Sequence, residues 1–214
     1  MRPARQAAFE AALPRLSFDP PDAPESFDPR TLFEPSPDTV EFEIGFGGGE
    51  HLLARAEASP GTGFLGAEPF VDGMARLVAE VERRGLRNVR VHQGDAFLVL
   101  EALREASLSR IHLLFPDPWP KTRHHKRRFV QVDSVAQCAR VLAPGGLLTV
   151  ATDHMGYARW ALAHLVRAPA FEWLAQSPSD WREPPPEWSP TRYERKALAM
   201  GARPVYLRFR RVVA

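Results

Sequence analysis

The sequence predicts an α/β fold: a mostly parallel, seven-stranded sheet flanked by helices. Three observations carry this. Short β-branched and aromatic runs alternate with longer stretches of helical periodicity from about residue 40 onward. A glycine-rich turn, Gly45-Phe46-Gly47-Gly48-Gly49, joins the first strand pattern to the first strong helix pattern. Acidic residues then stand just beyond the ends of apolar runs, at Glu68, Asp95, Asp117 and Asp153. Open parallel sheets bind ligands at that place, outside the carboxyl ends of their strands.

The 214 residues suit one domain plus trimmings, and a hydrophobic fraction of 44% with 25% charged residues is that of a soluble globular chain. The formal charge is only +2 although the pI is about 9.0, so any affinity for nucleic acid must come from clustered cations. The single cysteine, Cys138, excludes an internal disulfide and suits a reducing compartment; its neighbours have helical spacing, which makes it helix filler. The first residues lack the apolar centre of a signal peptide, and no apolar run approaches the roughly 18 residues of a membrane span. A cytoplasmic protein with no membrane partner is expected.

Residues 1–39 are rich in Pro, Arg and Asp, and little regular structure is expected there. Two readings stay open: a disordered leader, or an arm that packs on the domain and carries Arg2, Arg5 and Arg15 toward a polyanion. A single domain covers 40–214. Residues 40–44 read as a strand, the glycines as a turn, and a helix starts near Glu50. Only glycine lets a ligand come so close to the main chain. Glu68 ends the next strand about 20 residues further on, where an acid can accept both hydroxyls of a ribose. A helix over 71–84, with Met74, Leu77, Val78 and Val81 on one stripe, closes at Gly85. The third strand leads to Gly94-Asp95-Ala96-Phe97, and a helix over 96–106 follows.

The fourth strand delivers Phe115-Pro116-Asp117-Pro118-Trp119-Pro120. Proline locks φ and removes a donor, so this is a stiff wall that presents one carboxylate and one large ring. Behind it stand Lys121, Arg123, His124, His125, Lys126, Arg127 and Arg128. A flat ring for a planar ligand beside cations for phosphates suggests a nucleobase on a phosphate chain. A helix is expected over 127–142, then the fifth strand ending at Asp153, a helix over 155–166 and a sixth strand at 171–175. Residues 176–190, with Trp181 and Trp188, read as a proline-rich loop over the cleft. Thr191, Arg192, Tyr193 and Glu194 open a short helix, in which Thr191 and Glu194 have capping-box spacing. The alternation over 204–212 marks a last strand at the sheet edge.

With these pieces in place, the chain resembles the class I S-adenosylmethionine-dependent methyltransferases, which have a Rossmann-like sheet with the last strand antiparallel. Within them it resembles the bacterial tRNA (guanine-N7-)-methyltransferases, most specifically through FPDPWPKTRHHKRR and TRYE. The resemblance implies S-adenosylmethionine contacts at Glu43, Gly45, Gly47, Gly49, Glu68, Asp95, Ala96 and Asp117, with S-adenosylhomocysteine as product. It implies substrate contacts at Lys121, Asp153, Thr191, Arg192, Tyr193 and Glu194, RNA contacts at Arg123, His124, His125, Lys126, Arg127 and Arg128, and position 46 of the tRNA variable loop as target. No metal and no obligatory protein partner are expected; monomer and homodimer both stay open.

Guanine N7 carries a lone pair and no proton, so the enzyme needs alignment rather than a base. A fixed carboxylate facing the ring offsets the charge that develops on it, which makes Asp117 the first candidate, with Asp153 as alternative or helper. Trp119 or Tyr193 can stack on the target. Three other readings compete. A NAD-dependent Rossmann oxidoreductase shares the glycine turn and Glu68 but has no use for the wall. A methyltransferase of another RNA or of a protein keeps the cofactor end. An RNA-binding module with a decayed cofactor site sits poorly with the intact acids Glu43, Glu68 and Asp95.

Overall fold

The computed structural model describes residues 3–213, with side chains from Phe9 onward. Seven strands, β1 (Thr39–Ile44), β2 (Thr62–Ala67), β3 (Val89–His92), β4 (Leu108–Leu114), β5 (Leu142–Thr152), β6 (Phe171–Trp173) and β7 (Val205–Arg211), form one sheet in the order β3-β2-β1-β4-β5-β7-β6. β1 to β5 are parallel, and β7 runs antiparallel to both β5 and β6. β1 lies between β2 and β4, so the connections depart in opposite directions on either side of it and open a crevice at its end.

The helices are α1 (Pro3–Leu16), α2 (Glu50–Ala58), α3 (Val71–Arg84), α4 (Ala96–Ala102), α5 (Val132–Val141), α6 (Met155–Arg167), α7 (Ser179–Arg182) and α8 (Arg192–Ala199), with 3-10 turns η1 (Pro29–Leu32) and η2 (Thr122–Arg127). Side chains alternate across a strand, and the two faces of the sheet differ. Phe42, Ile44, Ile111, Leu113, Val150 and Leu207 pack with Val99, Val135 and Leu165 of α4, α5 and α6 in the larger core. On the other face, α1, α2 and α3 close over Phe64, Val89 and Val91 with Phe9, Leu52, Leu77 and Val81. Further along that second face the buried residues turn polar, at Glu41, Glu43, His51 and His112.

Four local expectations fail, each for a physical reason. β7 is not an edge: it pairs on both sides, and its alternation reflects Arg208 on the polar face against Leu207 and Phe209 on the apolar one. The arm is not devoid of regular structure, because α1 opens on Pro3, where a missing N–H costs nothing, and Phe9, Ala12 and Leu16 give it a buried stripe. Arg15, still exposed, pairs with Glu82 of α3 at 2.7 Å, while Arg2 and the side chain of Arg5 lie outside the described residues. Past α1, Ser17 and Phe18 run beside β3, with the Phe18 amide donating to Val91 at 3.0 Å, and cover that sheet edge. The helix expected over 96–106 ends at Ala102, where Leu103 turns extended. The helix expected over 127–142 is split: η2 stops at Arg127, Arg128 is extended, and α5 starts at Val132 behind Gln131. Cys138 is helix filler as expected, its thiol pushed up to about 12 by burial.

Candidate active site

β1 ends at Ile44 and the main chain turns through Gly45 and Gly47 at φ 67° and 56°, a region that side chains disfavour. A Cβ on Gly47 would meet nothing within 4 Å, so the turn borders open space rather than packed protein. Gly73, in the first turn of α3, backs the loop: a Cβ there would lie 2.5 Å from the Gly47 carbonyl. Sequence reasoning missed Gly73, whose signal was a glycine inside an otherwise clean helical stripe.

Glu68 follows β2 and is 4% exposed. One carboxylate oxygen accepts the Gly47 amide at 2.8 Å and the other accepts the Phe70 amide at 3.0 Å, which ties the glycine turn to the start of α3. Each oxygen keeps a second lone pair, so hydroxyls of a ribose can still be accepted. Asp95 is exposed and caps α4 by accepting the Phe97 amide at 2.9 Å, with Ala96 buried behind it. Glu43 is placed differently from an open ligand contact. It points to the polar face, where His51 of α2 meets its carboxylate at 2.8 Å with both groups buried.

The wall leaves β4 through two aromatic residues in left-handed conformations, Phe115 at φ 51° and Trp119 at φ 41°. Such residues cost of order 1–3 kcal/mol each and persist only where their surroundings dictate them. Between them Asp117 is exposed. β4 and β5 pair with Leu114 opposite Ala151, so Asp117 and Asp153, which is also exposed, leave adjacent strand ends. The Trp119 ring is not bare: the Arg127 guanidinium lies over it at 4.9 Å and His124 meets it edge-on at 5.8 Å. Lys121, Arg123 and Lys126 are exposed.

Two expected RNA contacts turn inward. His125 packs edge-on against Trp160 of α6 at 5.2 Å. Arg128 is 4% exposed; its Nε donates to the Pro118 carbonyl at 2.9 Å and its Nη2 to the Trp119 carbonyl at 3.3 Å. In this arrangement the Arg128 guanidinium is engaged by main-chain carbonyls, unlike the exposed cations ahead of it.

The Thr191–Glu194 segment also divides. Thr191 and Glu194 form the capping box of α8, with the Glu194 amide donating to Thr191 Oγ1 at 3.1 Å. The Glu194 carboxylate is buried at 2% exposure and accepts the Trp188 indole N–H at 2.8 Å and the Tyr206 hydroxyl. Arg192 and Tyr193 face outward. The loop ahead of them holds α7 and sends Trp188 against His51 at 5.1 Å and Tyr206 at 5.0 Å. Met155, Trp181, Trp188, Pro190, Glu194 and Tyr206 line a cavity of about 660 Å³, a volume that suits a nucleoside.

Beneath this loop lies a buried polar layer that spacing did not reveal. Glu41 meets Arg55 and His112 there, and at its solvent side the half-buried Arg110 reaches the exposed Glu187 at 3.0 Å. Burial alone would raise the Glu41 carboxyl, yet hydrogen bonds from His112 and Arg55 outweigh it and bring it to about 2. Burial holds His112 neutral, with Nε2–H donating to Glu41 at 3.2 Å.

Known proteins resemble this chain in sequence and in fold. The profile of a family described as "Putative methyltransferase" matches residues 37–207. A Nitrobacter hamburgensis protein named tRNA (guanine-N(7)-)-methyltransferase is 51% identical over 211 residues, covering 99% of this chain and 82% of its own. A Rhodopseudomonas palustris protein of the same name is 52% identical over 204 residues, covering 95% of this chain and 77% of its own. Among solved structures, the 16S rRNA methyltransferase KamB superposes with a TM-score of 0.62 over 86% of this chain and 91% of that one, at 16% identity, a likeness of fold.

Proposed function

The chain belongs to the tRNA (guanine-N7-)-methyltransferase family, and from that premise we propose that it transfers a methyl group from S-adenosylmethionine to N7 of a guanosine in tRNA, at position 46 of the variable loop, in the cytoplasm. The observation that carries the reading is the placement of two exposed acids, Asp117 and Asp153, on adjacent strand ends beside a glycine turn that borders open space.

The residues at the crevice fit the donor. Glu68 would hold its ribose, the side-chain-free backbone at Gly45 and Gly47 would leave room for its amino-acid end, and Asp95 would meet its adenine. When bound, S-adenosylmethionine supplies an electrophilic methyl on a sulfonium. The chain's own work is positioning. Asp117, between prolines on a backbone with little freedom left, accepts hydrogen bonds from the Watson–Crick edge of the guanine and offsets the positive charge that grows on the purine as N7 gains a carbon. No residue has to remove a proton from N7. A base taken from the tRNA stack needs a replacement surface, and Trp119 provides one once Arg127 exchanges the ring for a phosphate.

The test is labelled methyl transfer from S-adenosylmethionine to an unmodified tRNA transcript, followed by nuclease digestion and identification of the nucleoside. N7-methylguanosine, lost when guanosine 46 is replaced by adenosine, is the expected product. Label in any other base, or only in protein, would sink the proposal.

A further inference from the structure

We propose that Arg128 is a positioning residue for methyl transfer: it is the clamp that holds the Asp117 wall against α6, and it does not contact RNA. This rests on the N7-methylation reading above. The run of cations from Lys121 to Arg128 reads as one phosphate-binding block, yet its last member behaves unlike the others. Lys121, Arg123, Lys126 and Arg127 are exposed, whereas Arg128 is 4% exposed. Its guanidinium spans the carbonyls of Pro118 and Trp119, the two residues that follow Asp117, through Nε at 2.9 Å and Nη2 at 3.3 Å. Its planar face lies over two rings of α6, at 5.0 Å from Trp160 and 5.7 Å from Tyr157.

Both ends of this bridge matter to the chemistry. At one end, Trp119 is held at φ 41°, a conformation its own side chain opposes, and the cation on its carbonyl is what the surroundings contribute to keep it there. At the other end, α6 starts directly after Asp153 and His154, so the clamp fixes the distance between the two strand ends that carry the acids. The indole N–H of Trp160 donates to the Val130 carbonyl at 2.6 Å, which locks the ring that Arg128 lies on. A lysine carries the charge but lacks the planar fork that reaches two carbonyls at once.

The experiment compares Arg128→Lys and Arg128→Gln with Lys126→Ala. In each, kcat at saturating tRNA is normalised to the number of S-adenosylmethionine-binding sites, so that unfolded protein is not counted, and the tRNA KM is followed across salt concentrations. The clamp predicts a kcat per binding site at least tenfold lower in both Arg128 variants, with the slope of log KM against log salt as in the wild type. Lys126→Ala should instead reduce that slope by about 0.7–0.9, the value of one lost phosphate contact. A normal kcat in Arg128→Lys, or an Arg128→Gln slope reduced like that of Lys126→Ala, would overturn the inference. If Arg128→Gln does not fold, the kcat of Arg128→Lys decides alone. A wild type that makes no N7-methylguanosine would instead overturn the parent reading, and this one with it.

Discussion

The glycine-turn end and the Pro-Asp-Pro-Trp wall of this molecule are rigid for opposite reasons. At the glycine turn the parts hold one another: Glu68 ties Gly47 to Phe70, Gly73 packs under the turn, and Asp95 caps its own helix. All of these contacts come from three consecutive strand–turn–helix units. At the wall, the backbone of Phe115 and Trp119 is strained, and its restraint comes from elsewhere: from Arg128, through it from α6, and from prolines that leave few alternatives. Rigidity at the first site is local and at the second it is conferred by a neighbouring helix. The two should therefore fail separately, cofactor affinity with the one and turnover with the other.

The sharpest way to break that separation is at Glu68. Glu68→Ala removes a carboxylate that accepts two backbone amides and would accept a ribose, and charged hydrogen bonds are worth about 1.5–3 kcal/mol each. A loss of about 3 kcal/mol, or about 100-fold in S-adenosylmethionine affinity, is expected by calorimetry. An affinity within threefold of the wild type would contradict it. Trp188→Ala probes the far side. It strips the indole from His51, Tyr206 and Glu194 and should lower unfolding free energy in urea by about 2–3 kcal/mol, because the ring is only partly buried. A change below about 0.5 kcal/mol would show that the loop is not anchored there.

The smallest expected effect lies in the polar layer. Glu41 is depressed from 4.5 to about 2, so the stability it contributes is present above pH 4.5 and is lost as pH falls toward 2. Urea unfolding followed across that window should show a descent in the wild type that is shallower in Glu41→Gln, by of order 1–2 kcal/mol. Identical descents would mean that Arg55 and His112 do not hold the carboxylate.

The same contrast explains what could be read from the residues in advance. The glycine turn, Glu68, Asp95 and the Thr191–Glu194 box are encoded by short spacings, and local backbone geometry brought each to its expected place. Arg128 was not legible, because its burial depends on Trp160, on a helix that begins after a whole further strand. Glu194 was legible as a cap but not as the partner of Trp188 and Tyr206, because Trp188 sits in an irregular proline-rich loop and Tyr206 is brought over by the strand after α8. The prolines of residues 1–39 argued against regular structure, whereas Pro3 opens α1 where proline is favoured, the alanine-rich stretch behind it carries the helix, and Pro14 falls only in its last turn. Alternation in β7 was read correctly as a strand and wrongly as an edge, since a sheet with one polar face produces the same pattern in its interior.

The measurement that tests the account most directly is the single-turnover rate of methyl transfer in Asp117→Asn, with S-adenosylmethionine and tRNA both saturating. Removing one fixed group that offsets developing charge costs about 10²–10³-fold in comparable sites, and the substitution keeps shape while removing charge. The account predicts a rate at least 100-fold below the wild type with tRNA affinity within threefold. A rate within twofold of the wild type would contradict it, and would pass the role to Asp153.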